Sequence, residues 1–377
     1  MVTDISLEQL TDDPHRTYAE LRREGPIVWI ESLGGWVVLT RELAIEVMRD
    51  ADTFTVDHPG FTTAQVVGPS MLSLDGPEHR RHRDPFVDFF RLASLRRRFA
   101  EFLETTATAR VAQLRSAGSA ELREGLAGPF AVDVVAELLG MVDIDPIELL
   151  ALYRDIVGAV TELSAGQPMP TSGPAAVAEL RSHVAAATDG QGMVADVARS
   201  LSGDEVLSNA AVMLFGGIET SEGMNAGALW YLLTERGLLE AALEDKDVLS
   251  PLVEEALRLE PAAARVDRFA TRGVTVAGAS IAKDDLVIVS LAAANRDPLS
   301  YDAPDEFRLD RAEDAHVAFA LGPHVCMGQH LARMETVALL SAVLDGLPSI
   351  QLDRQRSTAP TGLVFRKPAV VAATWVP

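Results

Sequence analysis

The chain has 377 residues, 48% of them hydrophobic and 23% charged, with one cysteine and a formal charge of −22. A chain of this length and balance can bury a large core. A single cysteine excludes a disulfide framework, and the acidic balance argues against a nucleic-acid partner. The opening MVTDISLEQLTDDP lacks the basic and apolar segments of a secretion signal, and no apolar run is long enough to span a bilayer. A cytoplasmic protein with no membrane anchor is therefore expected.

In chain order, apolar periodicity predicts a helix in DPHRTYAELRREG, short strands in PIVWIE and GWVVLT, and a helix in TRELAIEVMRD. The Gly-, Pro- and Thr-rich stretch 57–70 reads as a functional loop. Residues 79–99, HRRHRDPFVDFFRLASLRRRF, carry seven arginines. On charge alone they form either a solvated helix face or a dock for something acidic. Helical spacing follows in LASLRRRFAEFLETTATARVAQL, AVDVVAELLGM, IELLALYRDIVGAV and GPAAVAELRSHVAAA. Strand-like runs return late, in VTVAG, DDLVIVSL and AVVAATWVP. There is no fixed-period repeat, and regular β-α alternation is lacking. The fold class expected is mainly α with small β-sheets (α+β), and the length permits one large domain or two to three small ones.

The longest helix is predicted to start at a capping box, Ser202 with Glu205, and to run to Gly237 as its C-cap. Near its centre lies GGIETS. Each glycine there costs about 1 kcal/mol relative to alanine. Two readings stand: close helix packing, or a backbone opened at Gly216 and Gly217 so that a bulky ligand approaches and Glu219 and Thr220 turn toward it.

Cys326 sits in FALGPHVCMGQHLAR, a glycine-bearing loop entering a helix marked by Leu331, Met334, Ala338 and Ala342 and ended by Gly346 and Pro348. At or one turn before a helix N-terminus, the partial positive charge favours thiolate. Such a sulfur is a nucleophile with His324 as base, a metal ligand, or a spare thiol. Zinc lacks its other ligands here, whereas haem iron needs one.

Phe319-x-x-Gly322-x-x-x-Cys326-x-Gly328 resembles the haem-binding signature of the cytochrome P450 superfamily, and His324 with Leu331-Ala332-Arg333-x-Glu335 resembles its soluble bacterial members. Four further stretches match in order: EHRRHR with His79 and Arg83, GGIETS, EEALR with Glu255 and Arg258, and RFATRGVTVAG with Arg268. ExxR alone is unspecific, since ELRR at 20–23 also satisfies it. The ordered combination spans nearly the whole chain.

The resemblance implies a single domain over 1–377 with the P450 fold and its long central helix over haem b, and Cys326 as the thiolate ligand. Such a ligand favours O–O cleavage over oxygen carriage. It implies that His79, Arg83, Arg268 and His324 partner the haem carboxylates, that Phe319, Gly322 and Gly328 shape the cysteine loop, and that Gly216 and Gly217 face the haem. Glu219 and Thr220 would form the acid–alcohol pair that delivers protons to dioxygen. Glu255 and Arg258 would be a structural ion pair, joined by Arg311. Substrate contacts are expected from 57–72, 155–175 and 261–266, and from Leu214, Phe215, Val266, Leu363 and Val364. Electrons would come from a ferredoxin or flavodoxin with its reductase, docking near the arginines of 80–98. The reaction implied is monooxygenation of a mid-sized, largely apolar organic molecule in secondary metabolism. Coupling, dehydrogenation and a non-enzymatic haem-thiolate sensor are the alternatives. Two departures stand out: Ala320 where many relatives have glycine, and Gly216 where alanine is commoner. The chain is also somewhat short for the family, which suggests trimmed loops around 160–175.

Overall fold

The computed structural model describes residues 5–141, 143–164, 167–190, 192–311 and 315–377. In chain order these form α1 (Leu7–Asp12), α2 (Pro14–Leu21), β1 (Ile27–Ile30), β2 (Gly35–Val38), α3 (Arg41–Arg49), β3 (Phe54–Thr55) and α4 (Thr63–Val67). Then come α5 (Gly76–Val87), α6 (Leu92–Arg115), β4 (Ser119–Glu121), α7 (Gly128–Leu139), α8 (Pro146–Ser164), α9 (Ser172–Thr188) and α10 (Met193–Val197). The long α11 (Gly203–Thr234) precedes α12 (Leu238–Glu244), α13 (Leu249–Leu259), β5 (Arg265–Ala270), β6 (Val274–Val276), β7 (Ala279–Ile281), β8 (Leu286–Ser290) and α14 (Leu291–Ala294). Last are α15 (Gln329–Gly346), β9 (Gln351–Leu352), β10 (Pro360–Thr361), β11 (Lys367–Pro368) and β12 (Ala372–Thr374). Helices dominate and the sheets are small, as the periodicity predicts. Among the described residues no helix is long and apolar enough to cross a membrane.

Two compact units divide the chain, one of Met1–Thr55, Ala107–Ala127 and Glu222–Pro377, the other of Val56–Thr106 and Gly128–Ser221. The first holds the five-stranded sheet in the order β1-β2-β8-β5-β3. Only the β2–β8 pairing is parallel, and it joins strands far apart in sequence; β1–β2, β5–β8 and β3–β5 are antiparallel. Val38, Val287 and Val289 of this sheet pack with Leu43, Val47 and Met48 of α3 and with Val317 and Ala320. The segment leading to Cys326 is thus pressed into a core by apolar side chains.

Among its described residues the second unit holds helices joined by loops, and no strand. Its α5 buries His79, His82 and Phe86 on one side, while Arg80 and Arg81 stay exposed. Arg81 bonds Glu78 and, at 2.6 Å, Glu205 of α11. Hydrogen bonds from Arg81 and Ser202 hold the Glu205 carboxyl at about 2. His82 Nδ1 lies 3.0 Å from Asn209 Nδ2. The capping box of α11 forms between Ser202 and Glu205. The helix ends at Thr234, not Gly237; Gly237, at φ +76°, starts α12 instead.

Buried ion networks tie the first unit together. Glu260 sits 2.8 Å from His15 Nε2, 3.2 Å from Arg296 and 2.7 Å from Arg366. Burial alone pushes its carboxyl up, but these partners outweigh that and hold it at about 2. Arg258 donates two hydrogen bonds of 2.8 Å to Glu255. It also donates to the carbonyls of Asn295, Pro304 and Glu306. Arg311 Nε and the Arg308 backbone N–H donate to the same Glu255 Oε1, at 2.8 and 2.9 Å. The ion pair expected from ExxR is there, and Arg311 joins it.

Removing Glu255 would leave two nearly dry guanidiniums uncompensated. Glu255→Ala should lower unfolding free energy by about 3–5 kcal/mol in urea denaturation; a loss under about 1 kcal/mol, the size of a surface pair, would contradict this account. A carboxyl held below its ordinary value contributes stability above that value and loses it as pH falls toward the folded one. The stability gap between the native chain and Glu260→Gln should therefore be widest above pH 4.5 and close as pH falls toward 2, measured by urea denaturation across that range; a constant gap would contradict it.

Candidate active site

In the first unit, the loop before α15 is shaped by backbone geometry. The Cys326 N–H donates to the Phe319 carbonyl at 2.8 Å and closes the turn. Gly322 has φ +75°, and a Cβ there would collide with the Met48 carbonyl oxygen. Glycine is required at that position on both counts. Ala320 has φ +55°, a left-handed conformation that costs an alanine about 1–2 kcal/mol. The departure at 320 is therefore not neutral: the loop takes the shape glycine would give, against the preference of its own residue. Gly328 is the N-cap of α15 at φ −77° and meets no such demand.

The Cys326 side chain is exposed, and His324 lies half-buried in the short turn Gly322–His324. Phe319 is gripped from α15, where the Arg333 guanidinium lies 4.5 Å from its ring centroid. Arg333 also binds Glu254 of α13 at 2.6 Å, and His316 meets the same carboxylate at 3.1 Å. Burial pushes Glu254 up, but the hydrogen bonds from His316 and Arg333 outweigh it and hold it at about 2. Neighbouring acids on α13 thus fix both flanks of the cysteine loop and the 302–311 segment before it. Arg268, on β5, is 4% exposed and donates to the Asp267 carbonyl at 2.8 Å. Val266 of that strand and Leu363 are partly buried against core clusters. Val364 is half-buried and its carbonyl accepts from Ala264.

Sequence reasoning missed Asn225. Its amide donates to Glu335 at 2.9 Å and accepts from Thr336 at 2.7 Å, binding the later part of α11 to α15. A polar residue in a helix with partners more than a hundred residues away gives no local signal.

In the second unit, α11 runs unbroken through GGIETS, so of the two readings offered by its glycines the opened backbone is absent. The two glycines behave differently. A Cβ on Gly217 would lie 2.5 Å from Val135 Cγ2 of α7, whereas one on Gly216 would meet nothing within 4 Å. Gly217 is thus a helix-packing glycine and Gly216 faces open space. Thr220 Oγ1 donates to the Gly216 carbonyl one turn back. Glu219 accepts a hydrogen bond from the hydroxyl of Tyr153 on α8, a partner the sequence did not announce. His79 is buried and Arg83 half-buried on α5. Leu214 has no exposed surface, while Phe215 keeps some. The 57–70 loop contains α4 and is anchored to α11: Ser208 donates to the Pro69 carbonyl at 2.6 Å, and the Met71 N–H to Asn209 at 2.9 Å. Of the 155–175 stretch, residues 165 and 166 lie outside the described residues.

These residues fit a haem by donor chemistry. In the first unit one exposed sulfur suits a soft transition-metal bond, and the buried Arg268 suits a carboxylate that such a macrocycle brings into an apolar interior.

The comparisons agree. The sequence model of the cytochrome P450 family matches residues 184–356. The chain is 31% identical over 366 residues to cytochrome P450 monooxygenase PikC of Streptomyces venezuelae, covering 90% of this chain and 85% of that one. To nocardicin C N-oxygenase of Nocardia uniformis subsp. tsuyamanensis it is 30% identical over 392 residues, covering 96% of each. The crystal structure of CalO2 aligns over 100% of both chains at TM-score 0.87 and 26% identity. Cysteine loop, ion network, fold and relatives lead to one assignment: the chain belongs to the cytochrome P450 family, as a haem-thiolate monooxygenase.

Proposed function

We propose that Cys326 supplies the thiolate to a haem b. In this reading His79, Arg83, Arg268 and His324 hold the haem carboxylates, and Phe319, Gly322 and Gly328 fix the loop that presents the sulfur. The observation that carries this reading is the exposed sulfur of Cys326 on a loop closed by its own N–H and clamped to α3 and α15. When bound, the haem supplies the activation of dioxygen.

The chain's own residues manage protons. The Thr220 proton is committed to the Gly216 carbonyl, so Oγ1 is left as an acceptor that orders a water molecule over the open Gly216 face. Glu219 is the proton reservoir one residue earlier, and Tyr153 fixes the orientation of its carboxylate. The substrate is a mid-sized, largely apolar molecule of secondary metabolism, a reading supported by the relative named for its action on nocardicin C. It contacts Phe215, the 57–72 loop, Val266 and Val364; Leu214 supports these contacts from within the packed core and Leu363 from its edge. Electrons come from a ferredoxin or flavodoxin, which docks on the exposed Arg80, Arg91, Arg96 and Arg97. The protein works in the cytoplasm, as a single P450 domain over 1–377.

Reduced holoenzyme exposed to carbon monoxide should give the red-shifted absorbance of a thiolate-ligated haem, and Cys326→Ala should abolish it. An unaltered band in that variant would refute the assignment. Thr220→Ala should retain the band but lose product formation by about 100-fold or more, with electrons appearing as peroxide. Unchanged coupling of electron use to product would remove Thr220 from the mechanism.

A further inference from the structure

The helical unit carries a second cluster of ligating groups that oxygen chemistry does not use. The helices α8 and α9 pack antiparallel. Near their connection Gly173 permits an approach so close that a Cβ there would lie 2.5 Å from that of Ala159. At the opposite end Glu148 of α8 meets Glu179 and His183 of α9, and one ligand atom from each lies within 4.8 Å of the others. Glu179 and His183 are four residues apart and so share a helix face. His183 Nε2 is 3.0 Å from Glu148 Oε1, with His183 27% exposed and Glu148 42% exposed. His183 also lines an open cavity of about 590 Å³ beside Arg98, Glu137 and Met141, which gives a hydrated ion a way in.

One imidazole and two carboxylates form a donor set suited to a divalent transition metal with a fourth position left for water. Hard Mg²⁺ and Ca²⁺ favour oxygen ligands alone. With the imidazole neutral, the cluster concentrates two negative charges on a chain already at −22, and a divalent cation cancels them. We propose that Glu148, Glu179 and His183 bind Zn²⁺ or a chemically similar ion and so pin α8 to α9. Ligand bonds of roughly 2.0–2.2 Å draw the three side chains inward, which their rotatable bonds allow. The consequence reaches further along α8, because that helix also carries Tyr153, the partner of Glu219.

The test is calorimetric titration of untagged, chelator-treated holoenzyme with Zn²⁺, then with Mg²⁺. One Zn²⁺ should bind per chain. His183→Ala and Glu179→Gln should each weaken it by at least about tenfold, and both should keep the carbon monoxide band of the parent. Amide exchange in α8 and α9 should slow with Zn²⁺ in the parent and not in His183→Ala. Absence of saturable one-to-one uptake, equal uptake by both variants, or an equal response to Mg²⁺ would overturn the proposal.

Discussion

Glu255 is the carboxylate on which the cysteine half of this enzyme depends. Its two oxygens accept from Arg258, Arg311 and the Arg308 backbone. Arg258 and Arg311 then spend their remaining N–H groups on carbonyls at 295, 302, 303, 304 and 306. A stretch with no helix or strand of its own, 302–311, is thereby given fixed backbone positions by charge-assisted hydrogen bonds rather than by secondary structure. Glu254, one residue earlier, does the same for His316 and Arg333. From one helix, two adjacent acids set the path of the chain into the sulfur-bearing loop.

The helical unit is organised on another principle. Its acid and alcohol sit on an unbroken helix, and their orientation comes from hydrogen bonds to a carbonyl one turn back and to a tyrosine on α8. Charge networks support the cysteine loop, and hydrogen bonds to a tyrosine and to a backbone carbonyl support the acid and alcohol of α11.

Much of this was legible beforehand. Long helices with clean periodicity, the capping box at Ser202 and the ordered motifs around Cys326 were visible because each is written in neighbouring residues. What escaped was written across distance. β5 carries three charged residues in ARVDRFA, so its apolar period is masked; its strand character comes from pairing with β8 and β3. Asn225 and Tyr153 look like ordinary helix residues until their partners at 335, 336 and 219 are brought to them. The two-residue strands β3, β9, β10 and β11 are too short to show a period. Ala320 was visible as a departure, but its strain depends on a torsion that no pattern records.

The paired glycines of α11 separate two jobs that their adjacency disguises. A methyl added at 217 would push against α7 and be felt by the whole helical unit, whereas one added at 216 would enter vacant room and leave the packing alone. A side chain can therefore be added at one position without disturbing the packing that its neighbour maintains. One of these adjacent positions is closed to a side chain by its neighbour on α7, and the other is open to one.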